Sequence, residues 1–144
     1  AFTLAHSLAL TLASLHVLSL PSRWVESGIA LSVALAALNN LWPLFRGRRP
    51  VAAFVFGLVH GFGFAGVLAD LGLPQSALVL SLAGFNIGVE IGQLAIVGVV
   101  LPLAFALRKT WFYRQLLTTG SALIVLIAAV WLVERAFDLK VLAA

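Results

Sequence analysis

A few polar side chains inside long apolar runs have the chemistry to bind a metal ion. They are His6, Glu26, His60, Asn86, Glu90 and Gln93. Ionisable groups at bilayer depth are costly, so each needs a functional or a packing reason. Neutral imidazoles, a carboxylate and amide oxygens together suit a borderline divalent ion such as Ni²⁺, Co²⁺ or Zn²⁺, whereas softer Cu⁺ would favour the absent Cys and Met. The sequence therefore predicts a sparse nitrogen and oxygen site, weak enough to release its metal.

Asn86, Glu90 and Gln93 stand at positions i, i+4 and i+7 of one apolar segment. On a helix they fall on one stripe about 60° wide. Glycines recur every four residues on the opposite side, at Gly84, Gly88 and Gly92. Such a face allows a neighbouring helix to approach closely. We predict that Glu90 faces the bundle interior and meets the imidazole of His60.

The other candidates leave alternatives open. His60 lies between Gly57 and Gly61, so it is either a satisfied histidine in a tightly packed helix or a ligand beside a cavity. The glycines could also unwind the helix locally beside such a cavity. His6 could be a ligand or an interhelical hydrogen-bond donor. Glu26 could be a ligand or could pair with Arg23. His16 is interpreted as an interfacial residue.

The composition requires lipid as the solvent of this chain. Of its 144 residues 62% are apolar and 10% charged, and the mean hydropathy is +1.12. A soluble domain has about a quarter of its residues charged. A water-soluble enzyme, a nucleic-acid-binding domain and a disordered tail are therefore excluded. The absence of Cys excludes disulfides and thiolate metal sites.

Proline and arginine clusters divide the chain into five apolar segments, four of them near the ~20 residues that cross a bilayer core and the fourth clearly longer. They run from about Phe2 to Leu20, Trp24 to Trp42, Val51 to Leu71, Ser76 to Leu107 and Tyr113 to Phe137. We predict an all-α transmembrane helix bundle of about five spans, forming one domain over residues 1–144. The fourth segment must tilt, protrude or bend, and Pro102 is the expected place.

Loop charge predicts the orientation of these spans. One side collects Arg46, Arg48, Arg49, Arg108, Lys109 and Arg114, and the other has Arg23, Arg135 and Lys140. The positive-inside rule makes the first side cytoplasmic, so the N-terminus is expected in the cytoplasm and the C-terminus outside it. Because the chain opens on Ala1 without Met, we expect a processed or partial chain with one or more upstream helices.

Several segments in order resemble the HupE/UreJ family, in particular its second, UreJ-like branch. They are Phe2 to Ser7, Pro21 to Arg23 with Glu26, Asn39 to Leu41, Phe56 to Ala65, Gly84 to Leu94 and Leu132 to Arg135. The resemblance implies a bacterial inner-membrane protein associated with nickel or cobalt supply to hydrogenase and urease. It also implies His6, His60, Asn86, Glu90, Gln93 and Glu26 as site residues, and an earlier helix with a Gly-x-Asp-His element.

The leading hypothesis is a divalent-metal permease without enzymatic activity or a tightly bound cofactor. Its partners would be the lipid bilayer and other membrane proteins or a second copy, through the glycine faces, and not nucleic acid. An accessory or anchoring subunit of a larger membrane complex is the main alternative. A haem-bearing electron carrier would use His6 and His16 at two depths of one helix. An intramembrane zinc hydrolase would need three ligands, for which His6, His60 and Glu90 are the candidates.

Overall fold

The computed structural model describes residues 1–70 and 75–139, which contain α-helices and no strand. The helices are α1 (Phe2–Ser14), α2 (Ser22–Leu41), α3 (Arg49–Asp70), α4 (Gln75–Leu107) and α5 (Trp111–Phe137). The predicted all-α helix bundle is confirmed. Within the described residues, the helices α2 to α5 contain spans long and apolar enough to cross a membrane.

The predicted fourth span is a single helix of 33 residues that contains Pro102. At about 1.5 Å per residue it exceeds the ~30 Å thickness of a bilayer core. The helix continues through Pro102 to Leu107, so the proline does not end it.

The first helix is shorter than predicted. It has 13 residues and ends at Ser14, so the prediction that it extends to Leu20 is wrong. His16 has φ 56, in the left-handed region, and its N–H donates to the Ala13 carbonyl at 3.0 Å. The Val17 N–H reaches back to the Leu12 carbonyl at 3.0 Å. This is a Schellman end, after which the chain reverses before α2 begins beyond Pro21.

Neighbouring helices lie side by side in the order α4, α1, α3, α2, α5. α1 and α3 run parallel, because Phe2 lies against Gly57 and His6 lies against Gly61. α2 runs antiparallel to α5, since Arg23 reaches Ala136 and Asn40 reaches Ser121. α4 is antiparallel to α1. Consecutive helices therefore alternate in direction, as a multi-pass membrane protein requires.

Glycine sets the distance between α1 and α3. A Cβ built on Gly57 would overlap the Phe2 carbonyl oxygen, and one on Gly61 would overlap the carbonyl oxygen of His6. The Ala9 Cβ would be only 2.8 Å from the Cβ built on Gly61. These two glycines therefore bring the backbones into direct contact, the packing that small residues four apart allow in membranes.

Few apolar side chains are buried between the helices, and the outer surface is apolar. Leu10, Ala65 and Leu82 form a buried cluster that Phe85 packs against. Large apolar side chains are exposed along the outside, particularly on α4. In lipid this exposure carries no hydrophobic penalty, so side-chain packing and polar contacts must position the helices.

Substitution of Gly61 by Ala should destabilise the bundle by about 1–3 kcal/mol, because the added methyl overlaps backbone that cannot move aside. The matched control is Gly84→Ala on α4, where no described atom lies within 4 Å of a built Cβ. That control should be neutral or slightly stabilising, since Ala favours helix. Thermal unfolding in detergent measures both variants. Equal unfolding temperatures would contradict the close approach.

Candidate functional site

His6 is the most deeply buried ionisable side chain among the described residues. It is 2% exposed, and its Nδ1 has no hydrogen-bond partner among the described atoms. Aromatic rings surround it: its centroid lies 6.0 Å from Phe2, 5.5 Å from Phe64 and 6.1 Å from Phe85. The Asn86 side chain on α4 is the hydrogen-bonding neighbour of the ring, which favours the interhelical hydrogen bond as one role of His6. A buried polar nitrogen without a partner costs about 1–3 kcal/mol, so this position needs an explanation beyond packing.

The polar residues of α4 contact hydroxyl groups of α1. The Ser7 hydroxyl donates to Asn86 Oδ1 at 2.8 Å, and the Thr3 hydroxyl donates to Gln93 Oε1 at 3.1 Å. Asn86 and Gln93 therefore lie on the interior side of α4, as predicted. The Thr11 hydroxyl, in contrast, donates to the Ser7 carbonyl of its own helix at 2.7 Å, as is usual for such residues in membranes.

His60 is half-buried and faces α2. Its Nε2 lies 2.8 Å from the Ser32 hydroxyl, and its ring lies edge-on to Phe2 at 5.6 Å. Phe2 thus contacts both imidazoles. α3 is helical through Gly57 and Gly61 and packs closely at both glycines, so the expected local unwinding is not formed. The role of His60 as a ligand stays a prediction.

Glu90 is exposed, and it makes no hydrogen bond or ion pair within the described residues. The predicted meeting of Glu90 with His60 is therefore not formed. The physical reason is that α4 packs mainly against a single neighbour, α1, which covers Asn86 and Gln93 but only part of a stripe about 60° wide. Among the side chains described, no three of the His, Asp and Glu residues converge as a metal-binding group.

Glu26 belongs to the contact between α2 and α5. Its Oε2 accepts from Arg135 Nη1 at 2.9 Å, so the predicted pairing with Arg23 is wrong. Arg23 donates instead to the Ala136 carbonyl. At the other end of the same contact, the Asn40 amide donates to the Ser121 hydroxyl at 3.2 Å. Both ends of α2 are thus tied to α5 by polar groups.

Several of these partners could not be recognised from the sequence. Ser32 and Ser121 are each one of several hydroxyl residues in their helices, and the rings around His6 look like ordinary lipid-facing residues in the sequence. No periodicity separates them from neighbouring residues. The haem hypothesis needs His6 and His16 on one helix, but His16 lies beyond the end of α1.

The comparisons with known proteins show a family. The chain matches the family model described as HupE / UreJ protein over residues 1–135, which is nearly its whole length. The curated proteins and the solved structures gave no match.

The Ser7–Asn86 bond should show measurable energetic coupling. In a double-mutant cycle of Ser7→Ala and Asn86→Ala, we expect a coupling energy of about 0.6 kcal/mol, the average for polar pairs inside membranes. The matched cycle of Thr11→Ala and Asn86→Ala should give no coupling, because Thr11 bonds within α1. Unfolding in bicelles supplies the free energies. Equal coupling in both cycles would contradict the described contact.

Proposed function

The chain belongs to the HupE/UreJ family, and from this premise we propose that it is a permease for a divalent transition metal, nickel or cobalt. The metal would supply the maturation of metalloenzymes. The chain itself would transport without catalysing a reaction and would hold no tightly bound cofactor. We place it in the bacterial inner membrane with the arginine-rich helix ends in the cytoplasm.

The observation that carries this proposal is the unpartnered Nδ1 of buried His6. A neutral imidazole has one nitrogen that donates and one that accepts. In either tautomer, Nδ1 of His6 could donate or accept one hydrogen bond, and no described atom is the partner of that bond. Coordination of a passing cation would satisfy it, and imidazole is a good ligand for divalent nickel and cobalt.

Further donors extend from His6 across three helices. Asn86 and Gln93 supply amide oxygens from α4, and their contacts with Ser7 and Thr3 hold them beside α1. His60 supplies a second imidazole, oriented by Ser32. We call the side chains of His6, His60, Asn86 and Gln93 together the polar seam. Few ligands of mixed type bind a cation weakly enough to let it leave, as permeation requires.

The two carboxylates contribute differently to this proposal. The role of Glu90 as a metal ligand stays a prediction. Glu90 is exposed and lies outside the polar seam. Glu26 lies at the α2–α5 contact, where Arg135 occupies one of its oxygens. Neither carboxylate is needed for the imidazole and amide donors to act.

Replacement of His6 by Ala should lower radiolabelled nickel uptake at least about tenfold, because loss of groups at a metal site typically costs 10–100-fold. Uptake would be measured in nickel-starved cells and in proteoliposomes, at matched amounts of folded protein. Replacement of Asn86 by Leu should lower uptake less, because it removes one weaker oxygen donor.

The control variant is Leu8→Ala on the same helix, where the side chain is 50% exposed and faces away from the polar seam. Its uptake should equal that of the wild-type chain. Wild-type uptake no greater than in empty vesicles would refute the permease proposal. Full uptake by His6→Ala would refute the assigned ligand.

A second candidate function, an accessory subunit of a membrane complex, is favoured by the unpartnered surface of α4. No described atom lies within 4 Å of a Cβ built on Gly84, Gly88 or Gly92. Glu90, exposed at the middle of the same helix, needs a polar partner or water at bilayer depth. A helix from another subunit would cover the glycine face, and a partner of Glu90 would lie on the opposite side of α4.

Gly88→Leu tests this candidate, because a large side chain would hold a partner helix away from α4. If the chain is an accessory subunit, the wild type should co-purify with another membrane protein in fixed stoichiometry and Gly88→Leu should abolish that. Light scattering and quantitative mass spectrometry measure the composition. Gly120→Leu on α5, also without a described atom within 4 Å, is the matched control. A wild-type chain that purifies alone would contradict the accessory role.

A further inference from the structure

A cavity of about 460 Å³ opens between the end of α1, the first turns of α2 and the last third of α3. Its ionisable lining side chains are His16 and Glu26, and Ser19 and Ser22 add hydroxyl groups. Gly66 also lines it, and no described atom lies within 4 Å of a Cβ built on that glycine. The cavity is separate from the polar seam, since neither His6 nor His60 lines it.

The backbone holds His16 in a conformation that favours glycine. His16 has φ 56 and occupies the left-handed position of the Schellman end of α1, where glycine is usual. Glycine is the usual residue there, and Asn, Asp and His are the other residues found in this region most often. This chain reversal places the imidazole of His16 at the cavity.

Glu26 lies between this cavity and a neighbouring groove of about 320 Å³. The charged groups that line the groove with it are Arg23, Glu134, Arg135 and Asp138. The Arg135 Nη1 lies 2.9 Å from Oε2 of Glu26. A carboxylate has two oxygens with about four lone-pair directions, so Glu26 can accept a second cationic partner from the cavity side.

We propose that this cavity is a loading site for a partly hydrated divalent transition cation, with the His16 imidazole and the Glu26 carboxylate as its protein ligands. Six waters at about 30 Å³ each would occupy about 180 Å³, so the cavity accommodates the cation with its hydration shell. Because the described residues bring no third His, Asp or Glu to this place, water completes the coordination. Such a site binds and releases readily. The identity of the cation rests on the proposed function, whereas the place of binding rests on the cavity.

Equilibrium dialysis of the wild-type chain in nanodiscs with ⁶³Ni²⁺ tests the site directly. Glu26→Gln should raise the dissociation constant for nickel about tenfold or more, because one of two protein ligands is lost. His16→Gly should do the same while keeping the fold, since glycine is the residue that the left-handed position prefers. Arg135→Gln should lower the dissociation constant about threefold by releasing Glu26, the opposite sign from the ligand variants.

Asp138→Asn is the matched control. It also removes one negative charge at this end of the bundle, but Asp138 lines the groove and not the cavity. Asn also tolerates its φ of 55. The loading site would be overturned if His16→Gly and Glu26→Gln bound nickel as tightly as Asp138→Asn does. The permease proposal has a separate test, because it would be refuted by the absence of wild-type uptake. Even in that case, nickel binding that depends on His16 and Glu26 would support the loading site.

Discussion

The close approach of α1 and α3 is the constraint on which the other features depend. Gly57 and Gly61 bring the carbonyl oxygens of Phe2 and His6 against the α3 backbone. In lipid the hydrophobic effect does not hold helices together, so this packing and the polar contacts across it must do so. The approach buries His6, and it places the Phe2 ring against both imidazoles. Without it, neither histidine would have its described surroundings.

Polar side chains complete the arrangement on either side of this pair. α4 is attached to α1 through Ser7 and Asn86, and α5 is attached to α2 through Glu26 and Arg135. The two attachments differ in environment. The first lies within the span beside buried His6, where a polar group needs a protein partner. The second is partly exposed at the end of the bundle, where an ion pair contributes little to stability and can exchange partners.

Burial separates the candidate donors into two groups. The polar seam, with buried His6 and half-buried His60, lies between helices. His16 and Glu26 line a cavity at the end of α1, next to charged residues of α5. A cation that reached the second group would keep most of its water, whereas one at His6 would meet aromatic rings. On the proposed permease function, the second group would be where a hydrated cation binds first, and His6 would be where it binds within the span.

The sequence by itself determined that lipid surrounds the chain, that its secondary structure is α-helical, where α2 to α5 begin and end, and that Asn86 and Gln93 lie on the interior side of α4. These follow from local quantities, namely hydropathy over a span and the angle of about 100° between successive helical residues. Only the tertiary structure decided that Glu90 is exposed, that Arg135 is the partner of Glu26, and that Ser32 is the partner of His60. Periodicity fixes which residues share a face, but it does not fix which neighbour covers that face or how wide the neighbour is. Which neighbour covers a face depends on how closely the glycines let two helix backbones approach. That distance is a property of the pair of helices and cannot be obtained from either sequence segment alone.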